Sequence, residues 1–386
     1  MKGLSKSKYI AFCQCPRMMW LNVYHPELSS ADPSQQSRFE KGKEVGDLAM
    51  TIFGNFIDVT TKRPDGTLDL KAMIELTREE MEAGRDVICE ASFSFDGNYC
   101  AVDILRRQDD GWSIYEVKSS TYKDEASDTE DSLLAYSRDI AYQKWVLEKC
   151  GINVKGTYLV RLDSSYVRHG ELDVEQLFHI KDMAPFVANE FPKVEANIIA
   201  ARQILSEPTE PQAIIGSHCR SPYECGFFSH CVGELPKPNV FDLYRMDFEE
   251  KCRLFHSGKR SFEDLEDVKL SGVRQLQVSS YLNGADFVDH KGIASFLKQL
   301  SYPLYFLDFE TMQPAVPLYE GTRPYQQLAF QYSLHWLEEP DGTLNHTDSS
   351  AIPSPTPDAA LPKSSATTYL ATLVWWHITK VSNVHV

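Results

Sequence analysis

A chain of 386 residues can bury a large core and divide into two or more domains. With 42 % hydrophobic and 24 % charged residues it has the composition of a soluble globular protein; no apolar run approaches the roughly 18 residues of a membrane span. The N-terminus lacks the apolar core of a signal peptide, so a cytoplasmic protein with no membrane partner is expected. A net charge of −16 argues against a nucleic-acid binder, and nine cysteines in such a chain read as metal ligands and buried thiols better than as a disulfide framework.

In chain order, the first signal is local charge. Residues 1–26 carry Lys2, Lys6, Lys8 and Arg17 and no acidic residue, a segment able to contact phosphates. It contains Cys13, then Cys15 in a Cys-Pro-Arg triplet followed by an aromatic-aliphatic helix. A helix signal follows in FEKGKEVGDLAMTIFG, with Gly42 and Gly46 four residues apart. Glu90 sits inside the strand-like run VICEASFSF.

Two more strand-like runs, residues 99–105 and 112–118, flank the polar turn RRQDDG and predict a hairpin. Alternation places Asp103 on one face of the first, and Glu116 and Lys118 on one face of the second. If those faces coincide, two carboxylates and an ammonium converge in the middle of a sheet. Buried charges of this kind must be paired or hold a cation. A hard divalent ion, Mg²⁺ or Mn²⁺, suits one or two carboxylates plus water and phosphate oxygens, which is the chemistry of phosphodiester hydrolysis.

The acidic segment KDEASDTED then reads as mobile. It is followed by a helix over residues 132–150, whose Leu134, Ile140, Ala141, Trp145, Val146 and Leu147 recur at helical spacing before a stop at Gly151. Asp139 and Gln143, four apart, share a face of it. Further on, Cys219, Cys225 and Cys231 are evenly spaced in a loop-like stretch and flanked by His218 and His230. With a distant fourth thiol they could bind an iron–sulfur cluster or a zinc ion. ELPKPNVFDL, with two prolines, reads as a linker, and residues 240–300 show short helical patterns without evident chemistry. Near the end, a strand-like run leads into Asp308-x-Glu310, a carboxylate pair able to share metal ions. No acidic residue follows Asp358, and the tail differs in composition from the rest.

Asp103, Glu116-x-Lys118 and a helix bearing Gln143 together resemble the RecB-type PD-(D/E)-x-K nucleases. The resemblance implies that Asp103 and Glu116 bind Mg²⁺ or Mn²⁺, Lys118 positions water, Gln143 organises the site, and Glu90 is a further acidic member. The Cys-Pro-Arg triplet with the late cysteine triplet resembles CRISPR-associated and AddB-like iron–sulfur nucleases, and implies a [4Fe–4S] cluster on Cys15, Cys219, Cys225 and Cys231. Gly46 stands where relatives often carry a histidine. The stretch around Asp308 and Glu310 resembles the first motif of DnaQ-like exonucleases.

The expected fold is α/β: a restriction-endonuclease-like mixed sheet flanked by helices over residues 1–235, a helical linker region over 236–300, and a truncated RNase H-like segment over 301–386. The expected function is a metal-dependent DNA exonuclease acting on single-stranded DNA, open to a partner protein in DNA repair or defence. The competing reading is an inactive nucleic-acid-binding or scaffold protein with a structural zinc site.

Overall fold

The computed structural model describes residues 3–30 and 34–350. Its N-terminal segment forms a two-residue strand, β1 (Leu4–Ser5), and two short helices, α1 (Lys6–Gln14) and α2 (Pro16–Tyr24). Ser5 starts α1 by accepting a hydrogen bond from the Lys8 N–H. Cys15 is extended and separates the helices, and Pro16 begins α2 where no backbone donor is needed. Next come α3 (Ser34–Ala49), β2 (Ile57–Asp58) and α4 (Leu70–Glu82).

The alternating run predicted from sequence then forms an antiparallel meander, β3 (Val87–Phe95), β4 (Asn98–Gln108) and β5 (Gly111–Tyr122). The hairpin turn is tighter than RRQDDG, with Asp109 taking a positive φ of 48° between Gln108 and Gly111. The long helix α5 (Glu130–Lys149), capped by the Thr129 hydroxyl, crosses over to β6 (Val154–Asp163), which lies parallel to β5. A short α6 (Val174–Leu177) precedes β7 (Phe178–Asp182), antiparallel to β6.

The result is a mixed seven-stranded sheet, six strands in the order β2-β3-β4-β5-β6-β7 with β1 joined to β4 off that path, flanked by helices, as expected of an α/β fold. One face is covered by α5, whose Ile140, Ala141, Tyr142, Val146 and Leu147 are fully buried in the main core. The sheet also forks. β4 and β5 pair only from Gln108↔Gly111 to Ile104↔Tyr115; beyond that point β1 takes the vacated edge of β4, in parallel, at Leu4↔Asn98 and Ser5↔Tyr99. The Tyr142 hydroxyl donates to the Leu4 carbonyl at 2.6 Å and pins β1 in the fork.

The chain continues through α7 (Ala184–Glu190), α8 (Val194–Ser206), α9 (Phe228–Val232), α10 (Phe248–His256) and α11 (Val273–Asn283). Here the structure departs from the linker expected over 236–300. Val240, Leu243, Phe255, Phe262, Leu265 and Val278 are buried in a second core with Trp20 and Leu21 of α2 and with Cys219, Cys225 and Phe227. Pro236 and Pro238 punctuate the chain, but the apolar residues after them bury against the cysteine loop. Among the described residues, those up to 163 and 174–290 form one unit, and 164–173 with 291–350 the other.

The acidic segment expected to be mobile is instead tied down. Asp128 accepts from Arg161 at 2.6 Å and pairs with Lys181 at 3.1 Å, and Glu125 also meets Lys181.

In the second unit, α12 (His290–Leu297) precedes an antiparallel three-stranded sheet of β8 (Leu304–Met312), β9 (Leu328–Leu337) and β10 (Asn345–Ser350), ordered β10-β9-β8. The atypical tail beyond residue 350 lies outside the described residues. No described helix is long and apolar enough to cross a membrane.

The second core makes a direct prediction. Phe262 is 1 % exposed, so Phe262→Ala should cost about 3–5 kcal/mol in urea unfolding. A loss below about 1 kcal/mol would show that 240–290 is not part of the cooperative unit.

Candidate active site

The fork between β4 and β5 builds the site. Where the ladder stops, the Val117 N–H donates to the Asp103 carboxylate, Oδ2, at 2.7 Å. Asp103 therefore stands across from Glu116, and the two faces, whose coincidence alternation had left open, do coincide. Glu116 is 1 % exposed. Its Oε1 accepts from Lys118 Nζ at 2.6 Å, and its Oε2 from Gln143 Nε2 at 2.7 Å.

α5 supplies the other wall. Asp139 and Gln143, one turn apart, both face the sheet and are joined by a 3.1 Å hydrogen bond. Lys118 bridges to Asp139 Oδ2 at 2.9 Å. A second ammonium arrives from α1: Lys6 Nζ lies 3.2 Å from both Glu116 oxygens and 3.6 Å from Asp139. Lys6 is a site residue that alternation along β4 and β5 could not reveal, because it enters through the long-range pairing of β1. The only sequence signal was a basic N-terminal segment free of acidic residues.

Glu90 completes the acidic rim. It adopts a positive φ of 56°, and its neighbours pair with β4 at Cys89↔Ile104 and Ala91↔Val102 while Glu90 itself does not. This break in the ladder costs backbone strain. Burial, and then the nearby Asp103 charge, push Glu90 up to about 7.

Burial raises Glu116 to about 7 as well, assisted by Asp103 and Asp139 and opposed by the two lysines. Burial also opposes the charge on Asp139, but Lys118 and Lys6 outweigh it and hold Asp139 well below the usual carboxylate range. For Lys6 and Lys118 burial is likewise outweighed by Asp139 and Glu116, which keep both firmly protonated.

Asp103, Glu116 and Glu90 thus crowd like charges, which a hard divalent cation would relieve. Gln143 Oε1 is buried with no hydrogen-bond partner, an acceptor open at the same carboxylates. Both features fit Mg²⁺ or Mn²⁺. As arranged, no three His, Cys, Asp or Glu side chains among the described residues stand ready to ligate one ion. The ammoniums of Lys6 and Lys118 occupy Glu116 and act as its countercharge, so an ion entering there must displace at least one of them.

A second constellation lies in the same unit. Cys15, Cys219, Cys225 and Cys231 line one small cavity with Met18, Leu21, Ile215 and Phe227. All nine cysteines are free thiols. Burial raises Cys219 and Cys231, and pushes Cys225 up to about 11, so binding of a metal or cluster must release protons.

As arranged, these thiols are not gathered on one ion either; four thiols lining one apolar cavity are the donor set that the resemblance implies for an iron–sulfur cluster. His230 is otherwise engaged: its Nε2 meets Glu210 at 3.0 Å, and Glu210 also pairs with Arg17 of the Cys-Pro-Arg triplet. His218 lines the cavity. Cys252 is buried in the second core and does not line the cavity.

Asp308 and Glu310 lie in the middle of β8, not at a strand end, and both are exposed. Their partners across β9 are Ser333 and Gln331. Asp348 on β10 faces Ser333 and is therefore two strand spacings from Asp308, about 10 Å.

The α/β architecture and the carboxylate–lysine cluster define the first unit. The family described as a domain of unknown function (DUF2779) matches residues 305–372, a segment that includes β9, β10 and all of β8 but its first residue. Asp103, Glu116, Lys118 and the four clustered cysteines lie outside that match. No curated protein matches the chain.

Lys6 can be tested apart from catalysis. Its stabilising contribution through Glu116 exists only while Glu116 is charged, so it is present above about pH 7 and fades as pH falls through that value. Lys6→Met should therefore cost about 3 kcal/mol above pH 7 and clearly less below it, in urea melts. Equal losses on both sides would exclude Glu116 as its partner.

Proposed function

We propose that this chain is a divalent-metal-dependent DNA nuclease, an exonuclease on single-stranded DNA, whose first unit is stabilised by a [4Fe–4S] cluster. The observation that carries the reading is the convergence of Asp103, Glu116, Lys118 and Gln143 at the sheet fork. Asp103 and Glu116, with Glu90 beside them, would hold Mg²⁺ or Mn²⁺. The bound ion would supply an activated water and stabilise negative charge on the phosphate.

The protein's own part is positional. Gln143 holds Glu116 in one orientation, and Asp139 holds Lys118 against it. Lys118 presents a fixed positive charge where an anionic phosphorane would develop. Four thiols on Cys15, Cys219, Cys225 and Cys231 would hold the cluster, joining the N-terminal helices to the loop that follows α8. The exposed pair Asp308 and Glu310 is assigned no part in this chemistry.

Two measurements test the reading. Lys118 is also an ion-pair partner, so Lys118→Gln, which keeps a donor, is the informative variant. It should lower Mg²⁺- or Mn²⁺-dependent cleavage of single-stranded DNA by about 10²–10³-fold. Wild-type cleavage by that variant would place the activity elsewhere.

For the cluster, anaerobically purified protein should be brown and contain iron. Cys225→Ala should lose both colour and soluble yield, while Cys252→Ala should keep both. Stoichiometric zinc without iron would replace the cluster with a zinc site.

A further inference from the structure

Beside the carboxylate site, a groove of about 180 Å³ separates the first turns of α5 from the cysteine loop. Thr129, Ser132 and Tyr136 line one side, and Ser221, Pro222 and Tyr223 the other. Lys118 Nζ lies 5.9 Å from the centre of the Tyr136 ring, which places the groove next to the catalytic candidates. Tyr223 is within electrostatic reach of Lys118, Asp139 and Glu116.

The two tyrosines are held firmly while their rings keep access to the groove. The Tyr136 hydroxyl meets Ser120 Oγ at 3.3 Å. Tyr223 is 48 % exposed, yet its backbone is anchored: Gln14 Nε2 donates to its carbonyl at 2.6 Å and to that of His218 at 2.8 Å. The Cys225 N–H closes the loop onto the Cys219 carbonyl at 2.9 Å. Aromatic rings on a fixed backbone offer a large contact area at little entropic cost.

No lysine or arginine lines the groove, so it is not a track for phosphates. Its lining is two tyrosines, small hydroxyls and the Asp131 carboxylate, an acceptor suited to exocyclic amino groups.

We propose that the groove seats one unstacked base of a DNA strand, with Tyr136 and Tyr223 as its aromatic walls, while the adjoining phosphate lies at the carboxylate site. Stacking on aromatic side chains is sequence-tolerant and requires a base free of its duplex neighbours, so the ligand is single-stranded. The position of the phosphate rests on the nuclease reading; the base seat does not depend on cleavage.

The test measures binding and cleavage separately on the full-length chain. A labelled oligodeoxycytidylate, and the same strand with abasic sites, are titrated by fluorescence anisotropy with Ca²⁺ in place of Mg²⁺. Tyr223→Ala should weaken binding of the intact strand about tenfold, Tyr223→Phe should not, and the abasic strand should bind wild type and Tyr223→Ala alike. Tyr136→Ala, on the opposite wall, should repeat the pattern if Tyr223→Ala is poorly folded.

In cleavage assays Tyr223→Ala should raise KM and leave kcat unchanged. Unchanged affinity in both alanine variants, an equal loss on abasic DNA, or no binding of single strands by wild type would overturn the base seat. Tyr223-dependent binding without cleavage in Mg²⁺ or Mn²⁺ would uphold the seat and remove the nuclease reading.

Discussion

The first unit is organised around a buried carboxylate, Glu116, that must be neutralised. Taking an ion out of water costs several kcal/mol even after relaxation, and only close partners recover it. Those partners come from three separate pieces of chain: Lys118 from β5 itself, Gln143 from α5, and Lys6 from α1. None of the three segments can leave without stranding charge. The fork in the sheet makes the arrangement possible, since β1 could not bring Lys6 to Glu116 if β4 and β5 stayed paired along their full length.

The same N-terminal segment serves the thiol cavity. Cys15 ends α1 and begins α2, so its position is fixed by two helices at once. Pro16 makes the break sharp, and Arg17 ties α2 to Glu210, which also engages His230. Gln14, one residue earlier, clasps the backbone on either side of Ser221 and Pro222. Each residue of the stretch from Gln14 to Arg17 thus has a separate structural task, and together they join the two cores of the unit.

Short-range periodicity made much of the site legible. The two-residue period placed Glu116 and Lys118 on one face, and the four-residue spacing placed Asp139 beside Gln143. Spacing singled out Cys219, Cys225 and Cys231, whereas the choice of Cys15 as the fourth came from the family resemblance; all four line one cavity. What periodicity could not show was long-range pairing, and so Lys6 was seen only as a basic residue. The salt links of Asp128 to Arg161 and Lys181 escaped for the same reason. Composition misled after Pro236 and Pro238, where two prolines suggested a linker although Phe255, Phe262 and Leu265 further on are buried in the second core. Asp308 and Glu310 were recognised as a pair sharing a face, but their place in the middle of an exposed strand depends on the extent of β8.

The fork also orders events during synthesis. Lys6 waits for Glu116, 110 residues later, and Gln14 waits for His218, 204 residues later. At about 5–20 residues per second the second wait lasts on the order of 10–40 s. Through that interval Trp20 and Leu21, buried in the second core of the finished protein, lack the cysteine loop that packs against them. α2 is therefore left without part of its native cover until the cysteine loop has been made.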